Sequence, residues 1–336
     1  MRILYLGNDL SKASKYHSAY ATLKINLRKE GYTVFTASTQ KKQLLRLLDM
    51  IYYILKYRHK VDYVLIDTFS TNAFYFAFIC SQISRLFRLK YIPILHGGNL
   101  PSRLDRSFLL SNLIFKNSEY NVSPSNYLKY EFEKRNFKVL LIPNTIDINE
   151  YPFKERKKIE PKILYVRAFA SIYNPLMAIK VFKKVFRIYP NAKLCMVGPN
   201  RDGILSEVLK EIELNNLQNN VKITGVLPKE DWHSLSKDYD IFINTTNVDN
   251  TPVSLIETMA LGLPIVSTNV GGVPYLVSDK IDGLLVDKND VNQMYTHIID
   301  LLENEDLTNQ LSKKGREKAV LLDWENVKEK WIKILK

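Results

Sequence analysis

Short β-branched and apolar runs alternate with stretches of helical pattern along the whole chain, and this alternation constrains the fold more than any other feature. "RILYL", "YTVFTA", "DYVLI", "YIPIL", "EYNVS" and "KVLLIP" occupy the first half, and "KILYV", "KLCMVG", "VKITG", "DIFIN", "PIVST" and "GLLV" the second. Strand and helix in alternation is the signature of parallel sheets covered on both faces, because each parallel strand needs a crossover before the next. Two such sets predict an α/β protein of two doubly wound, Rossmann-like domains facing each other across a cleft. The polar, proline-bounded stretch from Pro143 to Pro161 marks the seam. The expected divisions are residues 1–155, residues 156–320, and a last helix over 321–336 that packs back on the first domain. In sheets of this kind ligands bind beyond the carboxyl ends of the strands, so the loops after strands are where chemistry is sought.

At 336 residues and 46% hydrophobic content, the chain is too long for one ordinary core and too apolar for disorder. Cys80 and Cys195 lie far apart, each in an apolar run, and read as reduced core residues with neither a disulfide framework nor a zinc spacing. The opening "MRILYLGNDL" suits a first strand and is too short for a signal sequence. The longest apolar run, Ala73 to Cys80, falls far below the roughly 20 residues of a membrane span, so a cytoplasmic location is expected. Residues 1–150 hold 22 Lys and Arg against 11 Asp and Glu, whereas the remainder hold 26 against 24. Basic charge confined to one half points to an anionic partner there: nucleic acid, a phospholipid surface or a phosphorylated substrate. A plain solvated surface is the alternative.

The stretch "NVDNTPVSLIETMALGLPIVSTNVGG", Asn247 to Gly272, combines a helix with two carboxylates. Thr251 suits an N-cap, Pro252 the first helical position and Gly262 the C-terminal stop. On a helical wheel Ser254 and Thr258 form a narrow polar arc, while Glu257 falls between Val253 and Leu261 and is expected to be partly desolvated. Its partner is then either a structural Lys or Arg, or the hydroxyls of a bound sugar or ribose. The helix start favours a ligand, since the free amides of Val253 and Ser254 suit phosphate oxygens. Asp249 on the preceding loop would reach a second part of that ligand.

The same stretch resembles the signature of family 4 glycosyltransferases of the GT-B fold, with a glycogen-synthase-like C-terminal domain: an acid, seven residues, a glutamate, then an "A-M-A-x-G-x-P-V-V" type segment. Here Asp249, "NTPVSLI", Glu257 and "TMALGLPIVSTNVGGVPYLV" take those places, and "DGLLVD", "MVGP", "TGVLP" and "IPNTID" follow the family order. The resemblance implies that Glu257 holds the donor ribose, that Asp249 contacts the donor sugar and that Arg167 clamps the diphosphate. Asn174, Gly198, Gly225, Thr251, Val253 and Ser254 would complete the donor site. The family's lysine a few residues after Arg167 is missing; Ile172, Tyr173 and Asn174 stand there, leaving Lys12, Lys15 or Arg103 to compensate. His96, before Gly97 and Gly98, resembles the histidine that lines the sugar pocket and ranks with Asp249 and Arg167 as a catalytic candidate. Gly7, Lys15, His17, Gly97, Gly98 and Arg103 are read as acceptor-side groups. Retention of anomeric configuration is implied, with a nucleoside-diphosphate sugar as substrate, no cofactor or metal, and a glycan or lipid-linked acceptor in polysaccharide or glycolipid synthesis. Asp238 and Asp240 have a manganese-type spacing, but Asp240 opens an apolar strand instead of closing one.

For the acceptor, the basic first half is the clue. Lys41 to Lys60 mixes Leu, Ile and Tyr with six Lys and Arg and a single Asp, and Arg85, Arg88 and Lys90 follow another apolar helix. Either these lie on an anionic membrane surface, making the protein peripheral at the inner face, or they simply cover the first sheet. A non-catalytic subunit that binds nucleotide sugars is the rival reading. A nucleic-acid-binding protein lacks a recognition motif, and a dinucleotide oxidoreductase would need G-x-G-x-x-G where "LGNDLS" stands.

Overall fold

The computed structural model describes residues 1–8 and 19–336. Lys12, Lys15 and His17, read above as compensating or acceptor-side groups, lie outside the described residues. The chain divides into two units, Met1–Thr145 with Trp324–Lys336, and Ile146–Asp323.

In the first unit, β1 (Arg2–Leu6), β2 (Thr33–Ala37), β3 (Tyr63–Thr68), β4 (Lys90–Leu95), β5 (Val122–Ser123) and β6 (Leu140–Leu141) form a parallel sheet in the order β2-β1-β3-β4-β5-β6. The helices are α1 (Ala19–Lys29), α2 (Gln43–Tyr57), α3 (Ala73–Leu86), α4 (Leu100–Arg106), α5 (Phe108–Phe115) and α6 (Asn126–Glu133). Alternate residues of β1 serve opposite cores, as a pleated strand requires. Ile3 and Tyr5 pack with Leu23 and Leu27 of α1, whereas Leu4 and Leu6 pack with Met50 and Ile54 of α2 and Cys80 of α3.

The second unit repeats the plan with β7 (Lys162–Val166), β8 (Lys193–Val197), β9 (Val221–Gly225), β10 (Ile241–Asn244), β11 (Ile265–Thr268) and β12 (Leu284–Val286), ordered β12-β11-β10-β7-β8-β9 and again parallel. Its helices are α7 (Pro175–Ile188), α8 (Leu205–Leu214), α9 (Lys229–Leu235), α10 (Val253–Leu261), α11 (Val273–Leu276), α12 (Val291–Glu303) and α13 (Glu305–Leu321). Ile163 and Tyr165 of β7 face α7 and α12, and Leu164 and Val166 face α10. The final helix, α14 (Trp324–Ile334), belongs to the first unit. Its buried Trp324, Val327, Trp331 and Ile334 recur at three- and four-residue spacing and join the core of Ile3 and Tyr5.

The boundary read at residue 155 falls inside the second unit. Ile146 bonds to the carbonyl of Leu322 at 3.1 Å, the Ile148 amide to Asp323 at 2.7 Å, and Arg316 to the carbonyl of the buried Tyr151 at 2.9 Å, so residues 146–155 are stitched to α13 and its end. Cys80 and Cys195 are free and buried. Among the described residues no helix is long and apolar enough to cross a membrane.

Each sheet has a point where the strand order turns back. In the second sheet it lies between β7 and β10, which are neighbours although two strands separate them in the chain. Loops leaving such a pair diverge to opposite sides and open a crevice between them. Arg167 follows β7 directly, and Asp249 lies on the loop after β10.

Candidate functional site

Helix α10 is the centre of the candidate site, and its two ends are built differently. Pro252 occupies the N-cap with φ −63° and ψ 112°, and the helix starts at Val253. The Thr251 cap and Pro252 first position read from sequence are therefore shifted by one residue, since Pro252 has extended ψ and stands at the N-cap. The first bond of the turn runs from the Leu255 amide to the Pro252 carbonyl at 3.0 Å, leaving the Val253 and Ser254 amides ahead of the helical ladder. At the other end Gly262 adopts φ 79°, its amide bonds to Met259 and the Leu263 amide to Thr258, which is the expected left-handed stop. Arg156 and Arg316 donate to the carbonyls of Leu261 and Ala260 at 2.9 and 2.6 Å, so two guanidinium groups complement the negative helix end. Thr258, read as part of a polar arc, is wholly buried with its hydroxyl unpaired among the described residues, because the helix is covered nearly all round.

Glu257 is desolvated, as its place between Val253 and Leu261 predicts, with 13% of its side chain exposed. Its partner is neither a Lys nor an Arg: the Tyr151 hydroxyl donates to Oε1 at 3.0 Å. His233 Nε2 lies 3.9 Å from the same oxygen and is buried without a hydrogen-bond partner among the described residues, and the His233 ring packs against Tyr151 at 4.5 Å between centroids. The Lys229 ammonium sits 4.7 Å over the Tyr151 ring and pairs with Glu150 at 2.8 Å. Burial pushes the Glu257 carboxyl up to about 7, against the opposing pull of Lys229 and of the Tyr151 hydrogen bond. Burial and the positive charge of Lys229 hold His233 down at about 3, so its ring is neutral at neutral pH. Neither Tyr151 nor His233 is legible as a site residue in the sequence.

Asp249 and Arg167 form an ion pair through Oδ2 and Nη2, both mostly buried. The Arg167 guanidinium lies 4.5 Å from the Tyr173 ring centroid, and its Nε has no partner among the described residues. Burial lowers its pKa. The backbone comes very close here. A Cβ on Gly198 would meet the Arg167 carbonyl oxygen, and one on Gly271 or Gly272 would meet the carbonyl oxygens of Asp249 and Asn250. Only glycine lets these loops pack so tightly. Asn174 is the left-handed N-cap of α7, φ 48°, accepting from the Met177 amide and donating to Asn289 at 2.9 Å. Its side chain thus caps α7 and ties it to Asn289. Gly225 ends β9 at φ 70°, and its carbonyl accepts from the Gly198 amide at 2.9 Å. Asp240 binds Lys154 at 3.1 Å and the Glu160 amide at 3.1 Å, with the buried Arg156 at 3.7 Å, so its carboxylate is engaged within the fold.

In the first unit a second group gathers at the carboxyl ends of β1, β3 and β4. His96 Nε2 lies 2.9 Å from Asp67 Oδ1, and the Tyr5 hydroxyl donates to the same oxygen at 2.9 Å. Burial and the Asp67 charge raise the Tyr5 pKa well above its usual value, keeping the hydroxyl protonated. Phe69 stacks on His96 at 5.3 Å. Gly7 is packed between Tyr20 and Asp67, so any side chain there would displace them. Gly97 closes on the Ser70 amide, Gly98 continues the turn, and Arg103 donates to the Ser70 carbonyl at 2.9 Å while lying over Phe74 and Tyr75. Asp67 went unread in the sequence, although a carboxylate closing the apolar run "DYVLID" was a usable signal. A pocket of about 830 Å³ elsewhere in this unit, lined by Tyr120, Glu133, Phe137 and Leu140 among others, contains none of these groups.

Comparison with known proteins places this geometry. The family model for glycosyl transferases group 1 matches residues 147–318, just over half the chain. The poly(glycerol-phosphate) alpha-glucosyltransferase of Bacillus subtilis is 28% identical over 171 residues, covering 51% of this chain and 25% of that protein. The UDP-Gal:alpha-D-GlcNAc-diphosphoundecaprenol alpha-1,3-galactosyltransferase of Escherichia coli is 24% identical over 201 residues, 54% of this chain and 50% of that one. The chain thus spans a quarter to a half of the length of these curated relatives. Among solved structures, HepE of Anabaena in complex with UDP superposes with a TM-score of 0.76 at 17% identity, covering 100% of this chain and 99% of that one. Two six-stranded parallel sheets with flanking helices and this likeness identify the GT-B fold. The family match over residues 147–318 includes Arg167, Asp249 and Glu257, and the chain belongs to the glycosyl transferases group 1 family.

Proposed function

We propose that this protein transfers a sugar from a nucleoside-diphosphate sugar to a hydroxyl of a glycan or lipid-linked acceptor, with retention of configuration and without a resident metal, in cell-surface polysaccharide or glycolipid synthesis. The observation that carries this reading is the Arg167–Asp249 pair at the turning point of the second sheet, with the loop of Asp249 leading into α10 and its buried Glu257. The UDP bound to HepE and the diphosphoundecaprenol acceptor named for the Escherichia coli relative support the two substrate classes.

In this reading Glu257 accepts hydrogen bonds from the ribose hydroxyls, with Tyr151 fixing the carboxylate. Arg167 and the amides of Val253 and Ser254 hold the diphosphate, so developing charge meets donors that are already oriented. Asp249 orients the sugar. The acceptor oxygen bonds to the anomeric carbon on the face from which the diphosphate leaves, the carbon–oxygen bond breaks toward phosphate, and a departing phosphate oxygen takes the acceptor proton. In the first unit, His96 held by Asp67 offers a ring nitrogen to a sugar hydroxyl.

A non-catalytic donor-binding subunit is favoured by one feature, the absence of a lysine at Ile172 to Asn174. Incubation with uridine, guanosine and adenosine diphosphate sugars and an undecaprenyl-diphosphate glycan separates the two. Release of nucleoside diphosphate with an α-linked product from an α-linked donor is the expected result. Donor binding without release would establish the subunit, and a β-linked product would refute retention.

A further inference from the structure

Helix α2 does two jobs on opposite sides. Met50 and Ile54 are buried against the first sheet, which accounts for its covering role. The other side carries Leu44, Leu45, Leu48, Tyr52 and Leu55, all exposed, with Leu44 at 69% and Tyr52 at 56%. At 3.6 residues per turn these five fall within an arc of about 100°, nearly opposite the buried pair. An exposed aliphatic stripe of this length is unusual on a lone soluble surface and marks a contact.

A second helix of the same unit also carries exposed apolar side chains. α2 packs on α3 and α3 on α5, whose Phe108, Leu109 and Leu113 are exposed, Leu109 at 76%. The surrounding charge is mostly positive. Lys41, Lys42 and Lys56 flank the α2 stripe, where Asp49 is the single acid, and Arg103 and Arg106 end α4 with Asp105, paired to Arg135, between them. The Lys56 ammonium lies 5.5 to 5.6 Å over the rings of Tyr52, Tyr53 and Tyr57, an arrangement that keeps a cation at the border between apolar and aqueous surroundings.

We propose that the exposed face of α2 in the first unit is a docking surface for an anionic lipid bilayer, the aliphatic stripe entering the acyl boundary while its flanking lysines meet lipid phosphates. Charge complementarity commits the occupant. A protein partner would need to bring a matching acidic rim, whereas an anionic leaflet supplies negative charge and apolar depth together. The inference stands apart from the donor chemistry, because it uses none of the residues of the second unit.

The test is co-sedimentation of the full chain with vesicles of phosphatidylglycerol and phosphatidylcholine, compared with phosphatidylcholine alone. Binding is expected on the anionic vesicles at low salt, weakened at high salt, and absent on neutral ones. Leu44→Glu/Leu48→Glu should reduce binding by more than tenfold, and Lys41→Gln/Lys42→Gln by about tenfold. Both pairs are exposed, so unchanged thermal unfolding midpoints check that the variants fold. Failure to sediment, equal binding to neutral vesicles, or variants that bind like the parent would overturn the proposal. So would a concentration-dependent dimer, seen by analytical ultracentrifugation without lipid and abolished by Leu48→Glu, which would assign the face to a second copy of the chain.

Discussion

The Tyr151 hydroxyl donates a 3.0 Å hydrogen bond to Glu257 Oε1, joining the first turn of the second unit to the helix that carries its buried acid. This bond lowers the carboxyl pKa while burial raises it. Tyr151→Phe removes the donor and keeps the ring. Donor affinity is predicted to fall by about tenfold or more, corresponding to loss of a hydrogen bond to a charged group worth roughly 1.5 kcal/mol or more. The acid limb of donor binding should also move to higher pH, which calorimetric titration across pH measures and which loss of packing alone would not produce.

Glu257 also sets a stability slope. Burial raises its carboxyl from 4.5 to about 7, so the folded state keeps a proton that the unfolded chain releases. The associated stability is present below pH 4.5 and is lost as pH rises through about 7, on the order of 3 kcal/mol. His233 runs the other way: lowered from 6.5 to about 3, its neutral ring favours folding above pH 6.5 and opposes it as pH falls toward 3. Above pH 6.5 the His233 contribution has levelled off and no longer opposes the Glu257 slope. Glu257→Gln should flatten denaturant-measured stability between pH 6.5 and 8 and exceed the parent at pH 8, while losing donor affinity.

Arg167 and Asp249 depend on each other, since either charge alone would be buried without a partner. Arg167→Lys keeps the charge but loses the planar fork. Turnover is expected to fall by about 10²- to 10³-fold with the unfolding midpoint little changed. Arg167→Ala should instead destabilise by about 3 kcal/mol or more, read by urea denaturation. Chelation with EDTA is expected to leave turnover unchanged.

Gly272 tests the tight loop. A Cβ there would meet the Asn250 carbonyl oxygen, which belongs to the backbone and has little room to retreat. Gly272→Ala is predicted to cost about 1–3 kcal/mol and to disturb Asp249, whose carbonyl accepts from the Gly272 amide at 3.0 Å. Chemical denaturation and donor titration of the same variant check both effects.

Strands were the most legible part of this chain. The central strands are covered on both faces, so their side chains are apolar regardless of phase, and runs such as "KILYV" stand out against polar helices. Gly262 was legible because only a glycine accepts its left-handed cap, and the desolvation of Glu257 because its wheel position lies between apolar neighbours. Tyr151 and His233 were not, because they reach Glu257 across 106 and 24 residues of sequence and no local pattern records tertiary proximity. Thr258 misled for a related reason, as a threonine on a helix says nothing about what packs over it.

The most direct test of the central claim is thermal unfolding of the parent and Glu257→Gln with uridine, guanosine and adenosine diphosphate sugars in turn. A ligand at about 100 times its dissociation constant adds roughly 2.7 kcal/mol to the folded state. One nucleotide series is predicted to raise the parent's midpoint and to lose that effect in Glu257→Gln. No shift with any series, or an equal shift in both proteins, would contradict a donor site built on Glu257.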